Sequence, residues 1–426
     1  MILRDPIHGD ISFTDREVQV IDTYEVQRLR GLKQLGTANL VYPGCVHTRF
    51  DHSLGTAHTA KKILQALRWN GHTIDPEIEE IITIGAILHD ITHLPYGHTL
   101  EDERQIFPRH DSRNRYEKLI DSGEVGKVLE RLNLKEKVMA ILTGSGESKY
   151  FPKWARDIIS STLDADVLDY LKRDAYFAGI AHDYDERVFS YFTILNDQLA
   201  LNMVKHGMDR LDARSEILHL LRFRYFMMER VYTHHTKIIA GAMIAKAVEL
   251  AVDYGLTEDD LLRCNDYTLL EKLKEIGQEE NDSRILDLVR RFESRRFLKR
   301  AYVLSAGQLG RKERRDLIKI YTGPGGDRAR AEEELANELG ISAAEVLIYC
   351  PNEWVMKESA ALARTSLGIH RLNEPRINPP VDVKVLEDQY ENLWRFYVCV
   401  PQEVVYRAGK LCVKYFGFDN EFILQS

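Results

Sequence analysis

The sequence lacks the features that define several large classes of protein. It has five cysteines among 426 residues and no CxxC pair, which argues against a disulfide scaffold and against a zinc finger. No apolar run approaches the roughly 18 residues of a membrane span, and the first residues show no signal-peptide pattern. We therefore expect a cytoplasmic protein with reduced thiols and no membrane partner.

The chain also lacks an excess of positive charge. Lys and Arg number 58 against 66 Asp and Glu, for a net charge of −8. A dedicated nucleic-acid binder is usually basic, so nucleic acid is not an expected partner, although a local basic pocket for phosphates remains compatible with this balance. The hydrophobic content of 44% is ample for a large core.

One apolar segment ends in two residues that can bind a metal ion. Apolar residues recur at helical spacing through 78–88, and His89 and Asp90 follow directly. Pro95 and Gly97 then end the regular structure. A histidine and a carboxylate at the end of a buried helix are costly to desolvate without a partner. A divalent cation is a suitable partner, because imidazole and carboxylate are its natural ligands.

Further ligands are available far along the chain. His52 lies upstream, and three acidic residues downstream, Asp164, Asp166 and Asp169, compete for a fourth position. Such long gaps predict a site assembled from several packed helices. Two histidines and two carboxylates suit one divalent ion per subunit, drawn from Mn, Fe, Co, Ni, Zn and Mg. An acidic residue that is not a ligand, such as Asp164, can orient a ligand histidine.

The order of these residues resembles the H…HD…D signature of the HD superfamily of metal-dependent phosphohydrolases. Other segments look like the deoxynucleoside triphosphate (dNTP) triphosphohydrolases, in the branch with the HD domain of the SAM-and-HD-domain dNTPases. The resemblance is dense from residue 4 to about 240, and it implies that Asp166 is the fourth metal ligand beside His52, His89 and Asp90. The segments that carry it are Asp5–Gly9, Ile21–Thr23, Gln27–Arg30, Lys33–Gly36, Arg49–Gly55 and Asp169–Asp174.

The resemblance also implies a catalytic group beyond the metal ligands. Histidines at three positions, His93, His98 and His110, contact the phosphates in the family and take part in catalysis. Glu101 stands at the place of an acidic partner for one of them. Phosphoryl transfer needs positive charge around the phosphates and a proton donor for the leaving group, which these residue types supply.

A third set of residues matches the substrate contacts of the family. Two arginines contact phosphate, because a guanidinium binds phosphate oxygens in a bidentate manner. The other residues surround the sugar and leave no room for a 2′-hydroxyl. The whole set is Gln34, Leu35, Arg49, Tyr170, Asp174, Arg224 and Tyr232.

Two departures from the family keep other functions open. The family has a lysine directly after the last metal ligand, where this chain has Val167, and a family histidine near the sugar falls at Met228. The leading hypothesis is hydrolysis of a dNTP to deoxynucleoside and triphosphate. The alternatives are an HD phosphohydrolase acting on another nucleotide or phosphate ester, and a nucleotide- or nucleic-acid-binding regulator with weak catalysis.

Regulation and assembly are implied by the same resemblance. Asp22 and Arg30 match positions that bind an activating guanine nucleotide between subunits of the family, and Arg295 and Lys299 look similar to basic residues of the same region. Met1 stands where the family has a lysine of that site. We therefore expect a homo-oligomer, either a dimer or a tetramer. No SAM domain is expected, since the HD motifs begin almost at residue 1.

The predicted architecture is mainly α, with an HD helical core at 1–309 and a small α+β lobe at 310–426. Apolar periodicity and turn signals predict six helical stretches. These are 22–35, 53–69, 76–90, 152–163, 166–178 and 211–253. Alternating or β-branched residues predict strands at 381–385 and 395–400. The glycine-rich segment 321–327 lacks the spacing of a phosphate-binding loop, so a plain loop is predicted.

Overall fold

A computed structural model describes residues 1–102, 104–146, 149–323, 326–374 and 381–422. The fold is mainly α, as predicted. The helices are α1 (Asp15–Ile21), α2 (Tyr24–Arg28), α3 (Arg49–Trp69), α4 (Pro76–Leu88), α5 (Arg113–Ser122), α6 (Glu124–Arg131), α7 (Lys135–Thr143), α8 (Lys153–Asp157), α9 (Ala165–Ala178), α10 (Leu211–Met227), α11 (His235–Val252), α12 (Glu258–Arg263), α13 (Asp266–Glu279), α14 (Ser283–Glu293), α15 (Arg311–Tyr321), α16 (Gly326–Leu339), α17 (Val381–Glu391) and α18 (Val405–Phe416).

Three helices form the part of the core that carries the predicted metal ligands. Helix α3 packs against both α4 and α9. It begins at a capping box in which Thr48 and Asp51 satisfy each other's backbone amides. Helix α4 begins with Asp75 as its N-cap and Pro76 in its first turn, and it is buried from Ile81 to Leu88. Predicted helices 53–69 and 76–90 are thereby confirmed, with α3 starting four residues earlier.

Short strands form four small sheets. They are β1 (Ile2–Asp5), β2 (Gly9–Ser12), β3 (Phe192–Leu195), β4 (Gln198–Asn202), β5 (Val204–Lys205), β6 (Met208–Asp209), β7 (Lys299–Ser305), β8 (Leu347–Tyr349), β9 (Leu362–Thr365), β10 (Gly368–Arg371) and β11 (Arg395–Val400). Strands β1 and β2 pair, as do β5 and β6; the larger sheets have the orders β10-β9-β4-β3 and β7-β11-β8. The strand predicted at 395–400 is β11.

The strand predicted at 381–385 is wrong, because this segment begins helix α17. Its alternating valines fit a strand locally, but Val383, Leu386 and Tyr390 are buried at helical spacing and pack with Leu221 of α10. The helical spacing continues past residue 385, whereas the strand-like alternation does not, so the segment forms a helix.

Three predicted helices are shorter or divided. The stretch 22–35 holds only α2 and a 3-10 turn, and Lys33 then forms a β-bridge with Thr48. The stretch 152–163 is helical only as α8. The stretch 211–253 consists of α10 and α11, separated by a π-helical turn at Met228–Tyr232.

The C-terminal part has its own apolar core. The sheet β7-β11-β8 packs with α16 and α18 around the fully buried Trp394. The division at residue 309 stays a prediction; strand β7, on its N-terminal side, pairs with β11 on the other side. Residues 324 and 325 of the predicted loop 321–327 lie outside the described residues. Within the described ranges, no helix is both long and apolar enough to cross a membrane.

Candidate active site

The four predicted metal ligands meet where α3, α4 and α9 pack together. His52 Nε2 lies 2.8 Å from Asp166 Oδ1 and 3.3 Å from His89 Nε2. His89 Nε2 lies 3.5 Å from Asp90 Oδ1 and 3.7 Å from Asp166 Oδ1. His89 is turned toward this cluster because its Nδ1 lies 2.7 Å from the Ala86 carbonyl oxygen and donates to it. Helix packing thus gathers residues that are far apart in sequence.

The chemistry of this donor set fits a divalent cation. Two imidazole nitrogens face each other, and two carboxylate oxygens face the same space. Burial lowers the pKa of His52, but hydrogen bonds to Asp166 and Asp169 outweigh it and raise this pKa to about 10. Burial would raise the pKa of Asp90, but the nearby His89 and Arg49 outweigh this effect and lower it. The cluster therefore holds anionic carboxylates that stabilise positive charge, which a metal ion supplies.

The orientation of His52 depends on Asp169 rather than Asp164. Asp169 Oδ2 lies 2.8 Å from His52 Nδ1, which leaves Nε2 for the metal site. Asp164 instead caps α9, where it accepts from the backbone amides of Ser161 and Val167. The prediction that Asp164 orients a ligand histidine is wrong, because these two backbone amides, one in α9 and one in the turn before it, use both of its oxygens.

A further network, not assigned from the sequence, supports Asp169. His8 Nε2 lies 2.6 Å from Asp169 Oδ1, and Arg173 donates to both oxygens of Asp169. Arg173 also donates to Asp5 Oδ2 at 2.8 Å. The segment Asp5–Gly9 was part of the family resemblance, but no role was predicted for it. The ion pair of Asp169 and Arg173 could have been predicted, because residues four apart lie on the same face of a helix.

Gly55 of α3 leaves room for this network. A Cβ atom at residue 55 would lie 2.0 Å from Asp169 Oδ1 and 2.2 Å from Arg173 Nη2. We expect Gly55→Ala to destabilise the protein by about 1–3 kcal/mol, the usual range for overpacking a core, and to reduce metal retention by moving Asp169. Thermal unfolding and metal analysis would measure both effects. Gly326→Ala is the control, since no atom lies near its Cβ position; equal behaviour of the two variants would contradict the prediction.

The predicted catalytic histidines form a second cluster beside the metal centre. The ring centroids of His93 and His110 lie 3.8 Å apart, and those of His98 and His110 lie 4.9 Å apart. Glu101 Oε2 lies 3.0 Å from His110 Nδ1, so the predicted acidic partner belongs to His110. Arg115 donates to the other oxygen of Glu101 at 2.7 Å. The pKa of Glu101 is about 2, since His110 and Arg115 outweigh the effect of its burial.

His93 is kept neutral by its surroundings. Burial, followed by the nearby Arg49, holds the pKa of His93 well below its usual value. The side chain of His98, by contrast, is 48% exposed. His93 Nδ1 lies 3.2 Å from Asp90 Oδ1, but neither of its nitrogens has a hydrogen-bond geometry with any described residue. His93 is therefore an uncharged side chain with polar atoms available to a ligand.

Arg49 links the two clusters. Its Nη1 donates to Asp90 Oδ2 at 2.7 Å, and its guanidinium packs against Gly97, where a Cβ would lie 2.8 Å from Nη2. Arg49 also lines the adjoining cavity. The same cation thus touches a predicted metal ligand and faces the adjoining cavity.

The residues predicted to surround the sugar lie together. Tyr232 donates to Asp174 Oδ2 at 2.7 Å, and His47 Nε2 lies 2.8 Å from Asp174 Oδ1. Tyr170 and Tyr232 are in edge contact, with ring centroids 6.4 Å apart. Gln34 Oε1 is buried and accepts no hydrogen bond from the described residues. These groups present a tyrosine-lined, polar surface with one unused acceptor.

Arg224, predicted to contact phosphate, also lies at this surface. Its guanidinium is 5.1 Å from the centre of the Tyr232 ring and 5.5 Å from that of Tyr170. Its Nε donates to Glu358 Oε1 at 3.0 Å. No sequence pattern indicated this acidic partner, which comes from the C-terminal part of the chain.

Two adjacent cavities, together called the cleft, are lined by these groups. The first, of about 470 Å³, is lined by the sugar-site residues, Arg49 and His98. The second, of about 550 Å³, is lined by His89, Asp166, Val167 and His110. Tyr170 and Arg224 belong to both walls. The two cavities therefore adjoin each other, and Val167 lies in the wall of the second one, beside the predicted metal ligands His89 and Asp166.

The residues predicted to bind an activator are not brought together within one chain. Arg295 and Lys299 border one surface depression, and Arg295 Nη2 donates to the Leu40 carbonyl at 3.0 Å. Arg30 donates to Gln27 at 2.8 Å and covers the Phe50 ring. Asp22 is the exposed C-cap of α1. All four side chains are exposed, and their regulatory role stays a prediction.

Comparison with known families identifies the fold that holds this site. A model of the HD domain matches residues 49–174, which include all four predicted metal ligands. A model of the HD associated region matches residues 213–423. The chain therefore contains an HD domain, which confirms the resemblance seen in its motifs.

Individual relatives agree with this assignment. An uncharacterised protein of Methanocaldococcus jannaschii is 33% identical over 281 residues, covering 64% of this chain and 55% of that protein. The human deoxynucleoside triphosphate triphosphohydrolase SAMHD1 is 28% identical over 287 residues, covering 59% of this chain and 45% of that protein. The chain thus spans about half the length of these two curated relatives.

A solved structure supports the fold over nearly the whole chain. The crystal structure of a phosphohydrolase from Bacteroides thetaiotaomicron superposes with a TM-score of 0.71 at 19% identity. The match covers 94% of this chain and 100% of that one.

Proposed function

We propose that this protein is a metal-dependent phosphohydrolase that hydrolyses dNTPs to deoxynucleoside and triphosphate. The observation that carries the proposal is the single cleft that joins a His–His–Asp–Asp cluster to a tyrosine-lined cavity, with three histidines and Arg49 between them. A largely apolar cavity with a few placed polar groups, opening beside charged residues, suits a nucleotide, which combines an apolar base and sugar with phosphates. The similarity to the human dNTP triphosphohydrolase supports the choice of substrate.

His52, His89, Asp90 and Asp166 would hold the metal. When bound there, a divalent ion would polarise a phosphoryl oxygen and make water a better nucleophile. Water attacks the α-phosphorus, and the bond from that phosphorus to the 5′-oxygen breaks. The leaving oxygen must gain a proton. His110, which is paired with Glu101, is suited to donate it, while Arg49 and the neighbouring histidines bind phosphate oxygens.

A second substrate class has specific support. Val167 provides no cation on the metal side of the cleft, and Arg224 is already paired with Glu358. Fewer free cations favour a ligand with fewer phosphate charges, such as a nucleoside monophosphate or another phosphate ester. In that case the same metal centre acts on a smaller substrate.

Product analysis distinguishes the two proposals. The metal-loaded protein is incubated with each dNTP and with each deoxynucleoside monophosphate, and triphosphate, pyrophosphate and phosphate are quantified. Stoichiometric triphosphate and deoxynucleoside would support dNTP triphosphohydrolase activity. Phosphate released from monophosphates alone would favour the second class, and no product from any nucleotide would contradict both.

The sugar site leads to a separate prediction. If the surface around Asp174 holds a deoxyribose, the added 2′-hydroxyl of ATP should collide with Leu35 or remain unpaired. We expect kcat/KM for ATP to be about 10- to 100-fold below that for dATP. Leu35→Ala should open space for the 2′-hydroxyl and thereby reduce the difference in kcat/KM between dATP and ATP. Equal rates for dATP and ATP in the wild-type protein would contradict the sugar assignment and leave the metal site intact.

Assembly into a homo-oligomer and activation by a nucleotide are also proposed. Both rest on the match of Asp22, Arg30, Arg295 and Lys299 to family positions and on their exposure in the single chain.

A further inference from the structure

A buried network of charged side chains lies beside the cleft and outside the metal centre. It consists of Arg104, Lys246, Glu249, Arg328 and Glu332. Exposure is only 2% for Arg104 and Arg328, 3% for Glu332 and 4% for Lys246. Buried charges are costly to maintain, and an apolar cluster of the same volume is often at least as stable. Their presence here calls for a role other than stability.

Glu332 of α16 is the centre of this network. Its Oε1 accepts from Arg104 Nη2 at 2.8 Å and from the Ile348 backbone amide at 2.9 Å. Its Oε2 accepts from Lys246 Nζ at 2.7 Å. Glu249 provides a second anion, which pairs with both Arg104 and Arg328. One carboxylate therefore joins three separate segments of the chain.

Each of these segments forms part of the first cavity's wall. Arg104 lies two residues after the segment 93–102, here called the histidine loop, which carries His93, His98 and Glu101. Lys246 lies on α11, whose first turns supply Ile238 to the wall. Ile348 lies on β8, and the wall segment 349–354 follows it.

A second link connects two of the same walls. Asn352 Nδ2 donates to the Asp102 carbonyl at 3.4 Å, which joins the wall segment 349–354 to the histidine loop. Lys246 Nζ also donates to the carbonyls of Ala343 and Val346 at 2.6 Å, just before β8. The C-terminal part of the chain is thus held against the catalytic side of the cavity by charged and polar contacts.

We propose that Glu332 is a positioning residue, which through Arg104, Lys246 and Ile348 holds the histidine loop, α11 and the wall segment 349–354 in the arrangement that binds and converts the nucleotide. The proposal rests on the proposed function for its kinetic consequences. It makes the C-terminal part of the chain a component of the nucleotide site.

Two conservative variants test this role. Glu332→Gln keeps the shape of the side chain but removes its charge. Arg104→Lys keeps the charge but cannot reach Glu249 and Glu332 with the two arms of a guanidinium. Glu333→Gln, an exposed neighbour on α16, is the matched control. Each variant is compared with wild type for metal content, for steady-state kinetics on the preferred dNTP, and for hydrogen exchange in residues 93–102 and 347–354.

We expect both variants to retain the metal, since no predicted ligand belongs to the network. Their kcat/KM should fall by about 10- to 100-fold, the cost of small misplacements of catalytic groups. The rise in melting temperature that a dNTP produces in wild type should shrink, and exchange should accelerate in both segments together. The control should match wild type in every measurement.

Wild-type kinetics and exchange in both variants would overturn the proposal, as would faster exchange confined to α16. If Glu332→Gln fails to fold, Arg104→Lys provides the decisive comparison, because its charge remains. Hydrogen exchange is measured without substrate, so it tests the coupling of the walls even if wild type hydrolyses no dNTP. That last result would contradict the proposed function alone.

Discussion

The double variant His89→Ala, Asp90→Ala should bind no divalent metal tightly and should show no phosphohydrolase activity above background. Both residues face the same space as His52 and Asp166, within 3.7 Å of a neighbouring donor atom. Removing half of a four-ligand set leaves too few donors for a transition ion. Wild-type protein should carry about one such ion per chain. Elemental analysis of the purified proteins, combined with the product assay, measures both quantities.

A histidine variant outside the site controls for the loss of an imidazole. His206 is exposed and has φ 52°, a backbone conformation that asparagine tolerates. His206→Asn should therefore retain metal and activity. Full metal occupancy in the double variant would show that the ion binds elsewhere, and loss of metal in His206→Asn would show that metal content reflects general stability.

The cluster of candidate metal ligands could be predicted from sequence because its residues stand in strongly patterned surroundings. His89 and Asp90 end a helix that is apolar on most sides, and His52 lies one turn after a capping box. These local patterns place each side chain at the buried end of a helix. The order of the motifs then identifies the family, which supplies Asp166.

Other parts of the site depend on contacts between distant residues. Asp164 and Asp169 look alike as sequence, and only helix packing shows that Asp169 faces His52 while Asp164 caps α9. Glu358 reaches Arg224 across more than a hundred residues. The same holds for Glu332, which looks like one of several acidic residues on an amphipathic helix. Periodicity predicts which face is buried, and it does not name the partner of a buried charge.

The error at 381–385 has a different origin. A short alternation of valine with charged residues satisfies the two-residue period of a strand. The helical spacing is apparent only when Leu386 and Tyr390, which lie beyond the segment 381–385, are included. Strand β11 was predicted correctly because its aromatic and β-branched residues continue through its whole length.

The proposed contact between Arg49 and the substrate phosphates can be tested by substitution, and helix α3 also provides a control residue. Arg68, at the other end of α3, is paired with Glu79 at the surface. Arg68→Ala should therefore leave kinetics and metal content unchanged, because surface ion pairs contribute little. Arg49→Lys keeps a positive charge near Asp90 and separates the effect of charge from that of the guanidinium fork.

Arg49→Ala should reduce kcat/KM by an amount that corresponds to about 2–4 kcal/mol of transition-state stabilisation, the size of one preorganised electrostatic contact. The structure adds a second effect, because Arg49 donates to Asp90 at 2.7 Å and, after His89, helps to keep the pKa of that carboxyl low. Metal retention should therefore weaken in Arg49→Ala as the pH falls, since protonation of Asp90 competes with metal binding. Arg49→Lys should restore most of the metal retention and less of the rate, because only the guanidinium can bind Asp90 and a phosphate together. Wild-type kinetics in Arg49→Ala on every dNTP would show that the phosphates lie elsewhere and would favour the smaller phosphate ester as substrate.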